Sequence, residues 1–222
     1  MTNSSTEPTN HLHFHDLKDY FLNLQESDLP GHWDLEIGDG IRQHHQAPTK
    51  DATPAAVTLL VHTTFQDPSI VFIERSHHIG PVQHRGQIAF PGGKKEIDET
   101  IKECAFRETR EEIGVQLASH EPTRFLTPLF VPVSKFIIYP CVVFLDKIPE
   151  FNPNPAEVKS IIDSPLTHID ERYVIHKTDI QVQDQILKNV SYYPLDDKIL
   201  WGASALIFSE FLFLVQQFQE KY

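Results

Sequence analysis

The chain has 222 residues, 40% of them apolar and 10% aromatic, which is enough for one sizeable core and excludes wholesale disorder. It carries 19 Lys+Arg against 31 Asp+Glu, a net charge of −12, which excludes broad non-specific binding to nucleic acid. Its two cysteines, Cys104 and Cys141, exclude a disulfide framework and a Cys-x-x-Cys zinc site.

The first ten residues are polar and have neither the basic region nor the apolar stretch of a signal peptide, so a cytoplasmic protein is expected. His11–Gln25 places Leu17, Phe21 and Leu24 at helical spacing and predicts a short amphipathic helix. Turn formers dominate the stretch that follows, so residues 1–54 read as an N-terminal arm carrying that helix, ahead of a domain over 55–222. Ala55–Thr63 and Ser69–Ser76 are β-branched runs that predict two paired strands. His84–Gly93 reads as a strand entering a Gly-Gly turn, and Glu99–Ile113 as a helix with Asp98 as its N-cap. Strands are expected at Arg124–Phe130 and Phe136–Leu145, then a strand pair at Tyr173–Gln183 and Gln185–Tyr193. A closing helix is expected from near Leu200. Ile199–Phe218 is as long as a membrane span, but Ser204, Ser209, Glu210, Gln216 and Gln217 interrupt it; it reads as a core helix, with no membrane partner. Strands and helices without strict alternation predict an α/β fold, a mixed sheet sandwiched by helices.

The richest stretch in chemistry is Gly93–Val115. On a helical wheel, Ile101, Ala105, Glu108 and Glu112 fall within roughly 60°, with Cys104 and Glu111 beside them. The core-facing stripe therefore turns acidic over its last turn. Carboxylates on such a stripe are costly unless something neutralises them. Glu108, Glu111 and Glu112 also repel one another at i, i+3 and i+4 spacing. Three hard oxygen donors on one face suit Mg²⁺ or Mn²⁺ better than they suit a solvated helix surface.

Gly93, five residues, Glu99, seven residues, Arg107-Glu108, two residues, Glu111-Glu112, one residue, Gly114 and Val115 resemble the complete box of the Nudix hydrolase family. The box usually has an aliphatic residue where Thr109 stands here. The resemblance implies a Nudix-type α/β/α sandwich with a mixed β-sheet and a catalytic loop-helix-loop. It also implies Mg²⁺- or Mn²⁺-dependent hydrolysis of a small-molecule nucleoside diphosphate derivative. Carried over by position, Glu108, Glu111 and Glu112 would bind metal with the Gly93 carbonyl. Arg107 would orient the glutamates and Glu99 would pair with it. The water-activating base varies across the family; Glu111 is the first candidate here and Glu157 the second.

Gly86–Gly93 is similar to the Gly-x3-Phe-Pro-Gly-Gly signature of the coenzyme A pyrophosphatase branch. Val71–Ser76, Thr127–Leu129, Ser134–Phe136, Pro165–Leu166 and Trp201–Ala205 resemble the same group. That likeness implies cleavage of coenzyme A to 3′,5′-ADP and 4′-phosphopantetheine. The signature has an arginine where Val82 stands, and the interval from Ser76 to Gly86 is two residues longer than the pattern. Another cation must then meet the substrate: Arg75, Arg85, Lys94 and Lys95 are the candidates, with His84 nearby. ADP-ribose is the alternative substrate, and a non-catalytic nucleotide sensor the alternative class; the intact glutamates disfavour the sensor. No basic stripe with interleaved aromatics supports an RNA substrate. The sequence leaves a homodimer open. Most of the 13 histidines read as surface residues, Phe125, Phe130, Phe136 and Phe144 as core, and Cys104 as a small apolar filler.

Overall fold

The computed structural model describes residues 12–32, 47–64, 67–76, 86–182 and 184–222. Helix α1 (Phe14–Asn23) buries Phe14, Leu17 and Phe21, the i, i+3, i+7 stripe of an amphipathic helix. It is shorter than the predicted His11–Gln25. A capping box closes the short turn at Glu26–Asp28, where the Gln25 N–H donates to Asp28 at 2.6 Å.

The central strands are β1 (Thr53–Thr64) and β2 (Asp67–Arg75), paired as predicted; the pairing is antiparallel and covers only Val61–Thr64 with Asp67–Ile70. The other edge of β1 runs parallel to β7 (Phe136–Leu145) along ten residues. β1 and β2 then diverge, and the chain from Ile88 to Lys94 fills the gap. Its β3 (Ile88–Ala89) pairs with β2 and its β4 (Gly92–Lys94) pairs with β1. The expected Gly-Gly turn is therefore a strand, with Gly93 opposite Ala56 and Gly92 opposite Val57.

The predicted strand Arg124–Phe130 is two short strands, β5 (Thr123–Phe125) and β6 (Leu129–Val131), both antiparallel to β7. Pro128, which has no N–H to give a ladder, lies in the break between them. Strand β8 (Val158–Pro165) has no counterpart in the sequence reading; it pairs antiparallel with β2. With it the sheet has eight strands among the described residues, and β1–β7 is its parallel ladder. A second sheet holds β9 (His176–Val182), β10 (Gln185–Leu195) and β11 (Lys198–Trp201). β9 starts later than predicted because Tyr173 closes the short helix α3 (Ile169–Arg172) and buries its ring. The closing helix α4 spans Gly202–Lys221.

Two apolar clusters lie on opposite faces of the large sheet. One packs Ala56, Leu60, Val71 and Ile73 under helix α2 (Ile101–Ile113). The other packs Leu59, Val61, Ile70 and Phe72 against α1, α4 and the second sheet. The alternation along β1 follows from the two-residue period of a strand. At the centre of the second cluster, Phe208 of α4 meets the rings of Phe72, Tyr173 and Tyr193 edge-on at 5.0–5.4 Å. Its truncation to alanine would cost about 3–5 kcal/mol, the range for emptying a fully buried aromatic position. The expected α/β/α sandwich with a mixed sheet is the observed architecture. No helix among the described residues is long and apolar enough to cross a membrane, including α4.

Candidate active site

The site lies where the end of α2 meets β4. Helix α2 begins at Ile101, with Thr100 as its N-cap; Thr100 accepts from the Glu103 N–H and Glu103 from the Thr100 N–H. This capping box displaces the predicted start at Glu99 and its Asp98 cap. Glu99 is left ahead of the helix, where its carboxylate accepts from the Glu96 N–H and faces Arg107.

Arg107 is the hub. Its Nε and Nη2 donate to the two oxygens of Glu99 at 3.0 and 2.8 Å, a bidentate pair. Nη1 donates to Glu108 at 2.7 Å and Glu111 at 3.1 Å, and Nη2 also reaches the Lys94 carbonyl at 3.1 Å. The Arg107 hydrogen bonds hold the Glu99 carboxyl down to about 2. The same carboxylates raise the Arg107 pKa further above its ordinary value.

Glu108 is largely buried, and burial pushes its carboxyl up, a shift that Arg107 only partly offsets. Glu112 is 1% exposed, and burial raises it to about 7 against the pull of Arg75 and the Gly92 N–H. Its Oε1 accepts from Arg75 Nη1 at 3.2 Å and its Oε2 from the Gly92 N–H at 2.8 Å. Glu111 is more open and is shared between Arg107 and Arg110.

The buried face of α2 comprises Cys104, Ala105, Thr109, Glu112 and Ile113, so it is centred slightly to one side of the stripe read from the wheel. Thr109, the departure from the aliphatic pattern, is fully buried against Thr58 of β1. The two hydroxyls and the Ala105 carbonyl form a closed triangle with sides of 2.7–3.1 Å, so neither hydroxyl is left without a partner. Cys104 is buried as expected, and burial pushes its thiol up to about 12.

Gly93 is needed at closest approach. A Cβ there would stand 2.5–2.7 Å from the carboxylate of Glu108. Gly114 ends the helix in the left-handed region at φ 74°, which glycine adopts without strain. The loop after β7 then satisfies the helix's last carbonyls: Asn152 N–H donates to Ile113 O and Asn154 N–H to Glu112 O, both at 2.9 Å. That loop brings Glu157 to the site, near enough for its charge to raise both Glu108 and Glu112. The Glu157 carboxylate accepts from Asn154 Nδ2 at 3.3 Å, and its backbone carbonyl accepts from the Ser76 N–H at 2.7 Å.

The structure thus brings together Gly93, Glu99, Arg107, Glu108, Glu111, Glu112 and Glu157. Among the described residues, no three carboxylate, imidazole or thiol groups converge into a ready cation cage. The physical reason is visible: Arg107 draws Glu108 and Glu111, while Arg75 draws Glu112 the other way. The donor set nevertheless fits a hard divalent ion. It offers three carboxylates, two of them in surroundings that penalise their charge until a cation arrives.

Of the expected substrate cations, Arg75 turns to Glu112, and Lys94 is exposed at the end of β4. Lys95 donates to the Glu96 and Ile97 carbonyls. His84, Arg85 and Val82 lie outside the described residues. Sequence reasoning missed Thr58, Asn152 and Asn154. The Asn-Pro-Asn-Pro run at 152–155 is a turn signal, but nothing in it shows which helix end it caps.

A family model for the NUDIX domain matches residues 52–173. A protein of Pectobacterium atrosepticum described as an uncharacterized Nudix hydrolase NudL is 28% identical over 82% of this chain and 90% of its own length. The human mitochondrial coenzyme A diphosphatase NUDT8 is 29% identical over 53% of this chain and 51% of its own. Among solved structures, the NUDIX domain of Shewanella oneidensis NrtR, complexed with ADP ribose, aligns with a TM-score of 0.49 at 13% identity, over 78% of this chain and 93% of that one. The family match covers more than half of the chain and includes the whole glutamate helix, and so the chain belongs to the Nudix family, as a hydrolase of pyrophosphate bonds in nucleoside diphosphate derivatives.

Proposed function

We propose that the protein cleaves the pyrophosphate bond of coenzyme A or a derivative, releasing 3′,5′-ADP and 4′-phosphopantetheine. The observation that carries the chemistry is the gathering of Glu108, Glu111 and Glu112 at one helix end beside the Gly93 backbone. Support for coenzyme A comes from the Gly86–Gly93 segment and from the likeness to the human coenzyme A diphosphatase.

Nudix hydrolases generally use divalent metal ions. Here Glu108, Glu111, Glu112 and the Gly93 carbonyl would hold Mg²⁺ or Mn²⁺, which supplies charge neutralisation at the pyrophosphate and a more acidic water. Arg107 orients Glu108 and Glu111 from a position fixed by Glu99. For the base, partner charge favours Glu157 over Glu111. Glu111 shares arginine protons on both oxygens, whereas Glu157 accepts from a neutral amide and keeps lone pairs for a water proton. Lys94, His84 and Arg85 are the proposed substrate contacts. Residues 55–222 would form the catalytic unit, with the arm over 1–54 completing its core through α1.

The test is hydrolysis of coenzyme A, ADP-ribose, NADH and diadenosine polyphosphates side by side, with Mg²⁺, with Mn²⁺ and with EDTA. Metal-dependent release of 3′,5′-ADP from coenzyme A is the expected result. A second reading, ADP-ribose, is favoured by Val82 in place of the signature arginine. Turnover of ADP-ribose alone would select it.

A further inference from the structure

The sequence groups Arg75 with the substrate cations, yet its guanidinium is committed elsewhere. Nη1 lies 3.2 Å from Glu112 Oε1, while the Gly92 N–H holds the other oxygen at 2.8 Å. The Glu112 side chain is 1% exposed, and among the described residues Arg75 is the cation in ion-pair range of it. An ionised carboxylate buried without a partner is among the costliest groups a fold can hold. Arg75 is itself well anchored. Its N–H donates to Gln87 O and its carbonyl accepts from the Gly86 N–H, both at 3.0 Å, at the point where β3 joins β2. Each Glu112 oxygen keeps a lone pair beyond these two bonds, so the pairing aims the carboxylate without blocking it.

We propose that Arg75 is a positioning residue: a resident counter-charge that keeps Glu112 aimed in the metal-free protein and yields that role when a divalent cation binds. This rests on the reading of Glu112 as a metal ligand. By linkage, an interaction that is stronger without metal than with it opposes metal binding by the same amount. Removing Arg75 should therefore weaken the metal-free protein and tighten the metal.

The experiment uses the full chain with Arg75→Gln, Arg75→Lys, Glu112→Gln and the double variant Arg75→Gln/Glu112→Gln. Melting temperature is measured in EDTA and in saturating Mn²⁺, and Mn²⁺ affinity by paramagnetic resonance titration. Arg75→Gln should melt lower than wild type in EDTA and recover most of the deficit in Mn²⁺. Its Mn²⁺ affinity should rise at least about threefold. Arg75→Lys should stay close to wild type in EDTA, and Arg75→Gln should cost nothing further once Glu112→Gln is present. An Arg75→Gln protein with an unchanged EDTA melting temperature and a raised KM alone would overturn the proposal and return Arg75 to the substrate. So would failure of Arg75→Lys to restore stability. If wild type itself gains nothing from Mn²⁺, the metal reading fails, while the double variant in EDTA still decides whether Arg75 serves Glu112.

Discussion

Glu112 and Glu210 are both buried glutamates on helices, and burial raises the pKa of both. Their surroundings differ in kind. Glu210, in α4, is enclosed by donors: the Thr127 N–H at 3.3 Å, the Thr127 hydroxyl at 2.6 Å and the Gly31 N–H, with His32 Nδ1 at 3.7 Å. His32 in turn donates through Nε2 to the Thr127 carbonyl at 2.9 Å. The carboxylate thus ties the N-terminal segment and the β5–β6 break to the closing helix. Among the described residues, Glu112 has one backbone N–H and one arginine that is 30% exposed, and two more glutamate charges press on it. Glu210 is satisfied by its neighbours, whereas Glu112 is left with its charge partly uncompensated, which is what its proposed role as a metal ligand needs.

The largest effect that contrast predicts is on turnover. Glu111→Gln should lower kcat by at least about 100-fold, the scale of one lost electrostatic contact to the transition state, and leave the fold intact. Steady-state rates with coenzyme A, alongside a circular dichroism melt, would decide it; near wild-type turnover would refute the metal-site assignment. Glu210→Ala should do the opposite. It strands the two Thr127 donors and the Gly31 N–H, a loss of at least about 3 kcal/mol at about 1–3 per unsatisfied group, while the folded fraction keeps its kcat. A urea titration reads the first quantity and an active-site-normalised rate the second. If turnover fell as far as stability, Glu210 would not be a purely structural acid.

Adjacent glycines sharpen the same distinction. A Cβ on Gly92 would run into the Ala56 carbonyl and stand 2.7 Å from Val57 Cα, both backbone atoms in a paired strand. For a Cβ on Gly93 the three nearest atoms all belong to the end of the Glu108 side chain. Gly92→Ala should therefore cost about 2–3 kcal/mol of stability. Gly93→Ala should cost under about 1 kcal/mol but reduce kcat at least about tenfold, because Glu108 must swing aside. Equal melting temperatures for the two variants would contradict this division.

The acidic cluster of α2 was legible in the sequence and the contacts of Glu210 were not, for a physical reason. Glu108, Glu111 and Glu112 share one helix, so their spacing alone fixes their mutual geometry. Glu210 depends on Thr127, 83 positions away, and reads in sequence only as a polar interruption of an apolar helix. Arg75 fails for the same reason: its partner is 37 residues distant, so the sequence gives its charge but not its direction. The sandwich and the mixed sheet were legible from β-branched runs and helical stripes. Strand β8 was not, because Val158–Pro165 shows no clean alternation of burial: its Ile161 and Ile162 are only half-buried, with Lys159 and Ser160 before them. A bulge opposite Arg75 explains those polar residues. It lets Lys159 and Ser160 both reach Glu74, at 2.7 and 3.0 Å, although neighbours in a regular strand point to opposite faces.

Glu74 supplies the smallest effect and the finest test. Burial pushes its carboxyl up, but the Lys159 and Ser160 hydrogen bonds and the charges of Lys159 and Lys198 outweigh it, and its pKa is lowered. For Glu210 burial wins over Thr127 and Gly31, and the pKa is raised. Linkage gives these two buried glutamates opposite signs. A lowered carboxyl contributes stability that is present above the unfolded-state value and is lost as pH falls through the folded one. A raised carboxyl binds its proton more tightly in the folded protein, so stability falls as pH rises from the unfolded-state value through the folded one. Glu74→Gln should then be most destabilising near neutrality, with its deficit shrinking in acid below the ordinary carboxylate range. Glu210→Gln should be most destabilising in acid, with its deficit shrinking as pH rises from the unfolded-state value through the folded one. Denaturant midpoints for both variants and wild type across that range read the slopes directly. Two deficits that move in the same direction would mean that one of these acids is held by different forces from those its contacts imply.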